Sequence, residues 1–214
     1  MSKLLVLTVG HIAAGKTTLL RAIHRELDAV YISEGSIKRQ LVIKARHSYH
    51  YTDSLSEDLR DVGYKEAIRQ MVEGFREHDI VLMDASFHRQ FRRDWVMAAL
   101  RENGLLDIDI LILWLFCSDE GEVERRVKKR AAAEIKNTDN QADNMEVYRH
   151  IQGSFDPVDL SKLPEDLRIS MIAMDTYQNK IVREQIAATQ CTALEWIRHF
   201  LKEEYAIPRH AASF

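Results

Sequence analysis

The chain has 214 residues, 46% hydrophobic and 29% charged, enough to bury one good core, and residues 1–214 are expected to form a single globular domain. A formal net charge of −3 supplies no global attraction for nucleic acid, which disfavours a long polymer as substrate. No run of about 18 apolar residues lacks a charge, and the start (Met1-Ser2-Lys3, then Leu4 to Val9) has no long apolar stretch or cleavage site, so a cytoplasmic protein with no membrane partner is expected.

In chain order, Leu4 to Val9 is a short run of β-formers ending in Gly10 and reads as a buried parallel strand entering a glycine loop. Lys16 to Leu27 carries Leu19, Leu20, Ile23 and Leu27 at helical spacing, and Ala29 to Ile32 is a second apolar run. Helices are predicted from about Ser36 to His47 and from about Ser56 to Glu77, separated by a polar link from Ser48 to Ser56. Ile80 to Met83 is a strand ending in Asp84, Gln90 to Asn103 a helix closed by Gly104, and Ile108 to Phe116 a long strand. Ser118 is a candidate N-cap for a charged helix from Asp119 to about Ile135, followed by a polar segment, Lys136 to Asp143, that reads as mobile. Ile169 to Met174 is the last predicted strand, and Lys180 to about Glu204 the last predicted helix. Strands alternating with helices imply right-handed crossovers, hence a three-layer α/β/α sandwich with a five-stranded parallel sheet and a small helical lid.

The segment Gly10-His11-Ile12-Ala13-Ala14-Gly15-Lys16-Thr17 matches G-x-x-x-x-G-K-[ST] and lies between a strand and a helix, where the pattern has a mechanism. The glycines permit a tight backbone whose N–H groups converge on phosphate oxygens, Lys16 reaches the β and γ phosphates, and the Thr17 hydroxyl ligates Mg²⁺. Gly10 to Thr17, with Thr18, is therefore read as a nucleoside triphosphate site, for ATP with Mg²⁺. Asp84, closing its strand, is the second acidic element that holds the metal or its waters; a turn residue or helix cap is the competing reading. Ser86 reads as a cap.

A guanine-reading N-K-x-D is missing, since Asn179-Lys180-Ile181-Val182 lacks the aspartate, and 214 residues leave little room for a motor's extra parts. A compact phosphotransferase remains. Such enzymes need further cations over the phosphates, and Arg125, Arg126, Lys128, Lys129 and Arg130 supply five within a lid region spanning 119–143. One of Arg125, Arg126 or Arg130 is expected to reach the triphosphate, and spacing leaves open which; a solvated helix face is the alternative.

The loop, the Asp84-Ala85-Ser86 then Arg92-Arg93 pattern, the Arg125 to Arg130 lid, Phe155-Asp156-Pro157 and Met174-Asp175-Thr176 together resemble the P-loop kinase family, whose members include polynucleotide kinase, zeta toxins, chloramphenicol phosphotransferase and gluconate kinase. The resemblance implies ATP-dependent transfer of the γ-phosphoryl group to a hydroxyl, and places an adenine-side loop at Asp175-Thr176. It also implies an aspartate base just after the second strand, followed three residues later by arginine. Here the sequence departs: Tyr31-Ile32-Ser33-Glu34-Gly35-Ser36-Ile37-Lys38-Arg39 offers only Glu34 as carboxylate, with Lys38 or Arg39 as the cation. Glu34 is thus the candidate base, its rival reading an exposed loop glutamate. Arg92 and Arg93 either contact acceptor or phosphate or begin a solvated helix.

The resemblance sets the acceptor cleft in the helical insertion 36–77, whose Lys38, Arg39, Lys44, Arg46, Tyr49, Tyr51, Arg60 and Tyr64 suit a small-molecule or nucleotide acceptor, with a nucleic-acid end less favoured. A polynucleotide 5′-hydroxyl kinase and a nucleotide-dependent ATPase switch or binding module are the competing functions. His11 sits at a variable loop position. His47 and His50 lack partners for a metal site, Trp95, Trp114 and Trp196 read as core, and Cys117 and Cys191 as buried thiols without disulfide or zinc.

Overall fold

A computed structural model describes residues 2–44, 57–134 and 145–205. The strands are β1 (Leu4–Val9), β2 (Val30–Ser33), β3 (Ile80–Asp84), β4 (Asp109–Phe116), β5 (Arg168–Asp175) and β6 (Lys180–Gln185). The helices are α1 (Lys16–Glu26), α2 (Glu34–Lys44), α3 (Glu57–Glu77), α4 (Gln90–Glu102), α5 (Glu120–Glu134), α6 (Met145–Gly153) and α7 (Thr192–His199), with a π-helical turn, Phe200–Glu204, after the last. The sheet order is β2-β3-β1-β4-β5-β6, parallel from β2 to β5.

Alternation along β1 explains the three layers. Leu5, Leu7 and Val9 face one side, where Met71 and Phe75 of α3 and Val96, Met97 and Leu100 of α4 cover them. Leu4 and Val6 face the other, under Leu19, Leu20 and Ile23 of α1 and Leu194 and Ile197 of α7. With both faces covered, all six β1 residues are buried, and an unbroken apolar run is what such a strand requires. A third, small cluster joins Val123 and Val127 of α5 to Tyr148 of α6 beside Ile12 and Ala13.

The sheet has six strands rather than five, and the predicted helix from Lys180 to Glu204 is corrected. Lys180–Gln185 pairs antiparallel with β5, and helix begins only at Thr192. The reason is local: Asn179 adopts a left-handed φ of 50°, which asparagine tolerates, and turns the chain back beside the strand it has just left. The β-branched Ile181 and Val182 then extend the sheet, and Glu184 accepts a hydrogen bond from Arg198 at 2.5 Å and another from Lys202 at 2.9 Å, tying β6 to the last helical segment. The helix α6 was not anticipated. Asp119, not Ser118, caps α5, its Oδ1 accepting from the Glu122 N–H at 2.6 Å. The helix predicted from Ser36 starts at Glu34. The Ser48 to Ser56 link, Arg46, His47, Tyr49, His50, Tyr51 and the Lys136 to Asp143 segment lie outside the described residues. Cys191 is buried, Cys117 half-buried, and both are free. Among the described residues no helix is long and apolar enough to cross a membrane.

Two contacts hold the carboxyl edge of the sheet together. Gly10 has φ +148°, and a Cβ there would stand 2.0 Å from the Leu115 carbonyl oxygen. Gly10→Ala should therefore lower unfolding free energy by about 3 kcal/mol or prevent folding, read from denaturant titration, whereas retention of wild-type stability would contradict this packing. Arg93, fully buried, donates to the carbonyls of Phe87 at 2.8 Å, Asp156 at 2.8 Å and Pro157 at 3.2 Å, joining the segment after β3 to the one before β5. Arg93→Met strands these acceptors away from water, and a loss of about 3 kcal/mol is expected in the same titration.

Candidate active site

Strand β1 lies between β3 and β4, so the loop leaving it opens at the point where the sheet order reverses, the usual ligand crevice of such a sheet. The loop is pinned on the β3 side by the Gly10 N–H donating to the Ser86 carbonyl at 3.0 Å. Left-handed backbone at Ala13 (φ 60°) and Gly15 (φ 86°) then wraps it into the start of α1. That helix has no side-chain cap at Gly15 and no acidic residue in its first turn, so its N-terminal N–H groups and positive dipole end remain available to an anion. Lys16 is buried, and its ammonium folds back on the loop, donating to the carbonyls of Gly10 at 3.0 Å and His11 at 2.5 Å. Thr18 is exposed on the first turn.

The His11 ring packs 4.7 Å from Phe155 and 5.7 Å from Tyr148, centroid to centroid, with Nε2 buried and without a hydrogen-bond partner. Burial, and then the nearby Lys16 charge, lower its pKa, so the imidazole is neutral. Phe155 in turn stacks on Trp114 at 5.8 Å.

Asp84 is buried at the end of β3, and two hydroxyls converge on its Oδ2: Thr17 donates at 2.7 Å and Tyr31 at 2.5 Å. A hydroxyl and a carboxylate so placed are hard oxygen donors that fit Mg²⁺, which ordinarily takes one or two protein oxygens and fills its shell from phosphates and water. Among the described residues no group of three or more His, Cys, Asp or Glu forms a metal cage.

Of the three lid arginines, Arg126 is the one brought to the loop. It donates to the Ala13 carbonyl at 3.2 Å, to the Thr176 hydroxyl at 2.9 Å and carbonyl at 3.1 Å, and to Glu122 at 2.7 Å. Arg125 is exposed and paired with Glu122, and Arg130 is exposed. Hydrogen bonds from Arg125, then Arg126, hold the Glu122 pKa down at about 2 against partial burial. Thr176 is anchored to β4, its N–H donating to the Phe116 carbonyl at 2.8 Å, and Asp175 accepts from the N–H groups of Tyr177 at 2.9 Å and Ser118 at 3.2 Å. Burial raises the Asp175 pKa, but those hydrogen bonds outweigh it and the net shift is downward.

On the other flank Ser33 pairs in register with Asp84, so Glu34 lies one residue beyond it at the same edge of the sheet. Glu34 is buried as the first residue of α2, not exposed on a loop. Lys38 Nζ sits 3.0 Å from its Oε1 without hydrogen-bond geometry, so that oxygen has an ion-pair contact alone. Gly63 of α3 makes this approach possible, because a Cβ there would meet Lys38 Cγ at 2.8 Å and Glu34 Oε1 at 3.1 Å. Tyr64 is buried alongside; burial, then the Glu34 charge, push its pKa up. Arg92 lies over the Tyr64 ring at 4.5 Å and donates to Asp61 at 3.0 Å. Neither Arg92 nor Arg93 begins a solvated helix: both are buried, Arg92 against Tyr64 and Asp61 and Arg93 within the carbonyl network above. Ser86 does not cap α4; Asp156 does, accepting from the Gln90 N–H at 2.8 Å, which lowers its pKa.

Over residues 5–157 the sequence matches a family described as AAA domain. No curated protein matches it. Among solved structures, a protein of Chloroflexus aurantiacus J-10-fl assigned as a kinase is similar at a TM-score of 0.62 and 14% identity, over 93% of this chain and 97% of that one. A fungal RNA kinase is similar at a TM-score of 0.53 and 12% identity, over 100% and 91%. Kti12 of Chaetomium thermophilum, in complex with ADP-AlF3, is similar at 0.52 and 15%, over 80% and 90%. At these identities the likeness is one of fold. Because the family match spans more than half of the chain and contains both the phosphate loop and Asp84, the chain belongs to that AAA-domain family.

Proposed function

We propose that this chain transfers the γ-phosphoryl group of Mg-ATP to a hydroxyl of a small molecule or nucleotide. The observation that carries the reading is the single edge of sheet shared by Lys16, the Thr17 and Asp84 pair, and the buried carboxylate of Glu34. Lys16 exchanges its two carbonyl partners for β- and γ-phosphate oxygens, and the N-terminal amides of α1 bind the same chain of phosphates. Thr17 and Asp84 would hold Mg²⁺, which supplies charge neutralisation across the β and γ oxygens. Arg126, fixed between the loop and Thr176, orients the nucleotide on its base side. Glu34 takes the acceptor's proton as the acceptor oxygen bonds to the γ phosphorus and the bond from that phosphorus to the bridging oxygen of ADP breaks. The charges of Lys38 and Arg92 on the acceptor flank are balanced by Glu34 and Asp61, which favours a compact acceptor over a polyanion.

Mg-ATP at about 100 times its Kd should stabilise the wild type by about 2.7 kcal/mol, seen as a rise in Tm, and Lys16→Ala should lose most of that rise. Absence of any shift in the wild type sinks the reading. A screen with γ-labelled ATP over sugars, nucleosides, antibiotics and oligonucleotides should place label on a small hydroxyl compound; label on oligonucleotides alone indicates a polynucleotide kinase, and label only in free phosphate an ATPase. With the acceptor in hand, Glu34→Gln should lower kcat at least about 100-fold while leaving ATP binding unchanged. An unchanged kcat removes Glu34 as the base.

A further inference from the structure

Asp84 does not meet the phosphate loop alone. Its Oδ2 accepts from Thr17 at 2.7 Å and from the Tyr31 hydroxyl at 2.5 Å, across from β2. Val30 to Ser33 pair in register with Val81 to Asp84, so Tyr31 stands opposite Leu82 on the neighbouring strand and its long side chain reaches forward to the carboxylate. Its ring lies 5.5 Å from that of His24 on α1. Burial first, then the Asp84 hydrogen bond and charge, raise the Tyr31 pKa. A phenol, a carboxylate and a hydroxyl thus form one chain from β2 through β3 to the first turn of α1.

We propose that Tyr31 is a positioning residue for the divalent cation: it fixes Asp84 Oδ2 so that the other carboxylate oxygen and the Thr17 oxygen are presented to the metal. A carboxylate held by Thr17 alone turns about its Cβ–Cγ bond. Held by two donors from different elements, it has one orientation. Groups that orient a metal-binding carboxylate in this way commonly govern metal affinity while contributing little to the binding of the rest of the ligand.

The inference rests on the proposed use of Mg-ATP, and titration calorimetry with a non-hydrolysable ATP analogue, with and without Mg²⁺, separates the two. In the wild type Mg²⁺ should raise affinity for the analogue. Tyr31→Phe should keep the metal-free affinity and lose about tenfold of the Mg²⁺-dependent gain. A gain equal to wild type, or a parallel fall with and without metal, overturns the role of Tyr31. If Tyr31→Phe does not fold, as judged by circular dichroism, Tyr31→Leu replaces it: the same loss of the Mg²⁺-dependent gain supports the role of the hydroxyl, and an unchanged gain overturns it. Wild-type binding that ignores Mg²⁺ overturns this inference and leaves nucleotide binding standing, whereas no analogue binding at all overturns the kinase reading itself.

Discussion

The site depends on one close approach, that of Gly10 to the backbone of β4. The Leu115 carbonyl occupies the place where any side chain at that position would begin, so only a bare Cα lets the chain leave β1 at this angle. On the other side the Thr8 hydroxyl lies within hydrogen-bond distance of the carbonyls of Met83 and Ala85, at 3.0 and 2.9 Å, and the Gly10 N–H is bound to Ser86. The loop is therefore clamped between β3 and β4 before it begins to turn. Because those strands run parallel to β1, their carboxyl ends arrive at the same edge and bring Asp84 there with them.

Charge is distributed unevenly across that edge. On the side of the loop, Lys16 donates to the carbonyls of Gly10 and His11, and Arg126 to carbonyl and hydroxyl oxygens as well as to Glu122. Hydrogen bonds between a cation and a neutral oxygen are weaker than those to an anion, so a phosphate displaces the former at a net gain. On the flank of α2 and α3, Lys38 and Arg92 are matched with Glu34 and Asp61, half-buried or deeper. Separating such a pair leaves a poorly solvated charge, which costs more than the pair itself contributes. In the proposed reaction this polarity would direct a polyphosphate to the first flank and a less charged molecule to the second.

What was legible in the sequence is what is local. The strand-glycine-helix signature at Gly10 to Thr17 and the carboxylate ending Ile80 to Met83 each follow from spacing within one segment. What was not legible depends on register or on packing between segments. Tyr31 could be linked to Asp84 only once β2 was known to pair with β3 residue for residue. Arg92 and Arg93 are adjacent in sequence, yet about 100° apart around the helix, so one reaches Tyr64 and Asp61 and the other the carbonyl network; composition cannot tell them apart. The segment after Asn179 carried apolar spacing read as helical, and a single left-handed turn converted its first six residues into an edge strand. Asp156 reads as a loop residue until its capping bond to α4 is seen.

These differences in origin bear on how the two halves of the site can vary. Lys16, Thr17 and Asp84 are carried by the sheet and the loop clamped to it, and any change in their spacing must move β1, β3 or β4, all buried on both faces. Glu34 belongs to this rigid half, since it follows Ser33, whose register with Asp84 is fixed. Lys38 stands one helical turn further on, where α2 meets α3 at Gly63, and its position is set by the contact of two helices rather than by a ladder. Side chains at that contact can be exchanged without disturbing the phosphate loop. In the proposed reaction the base is thus held by the sheet, and selection of the acceptor falls to the pair of α2 and α3.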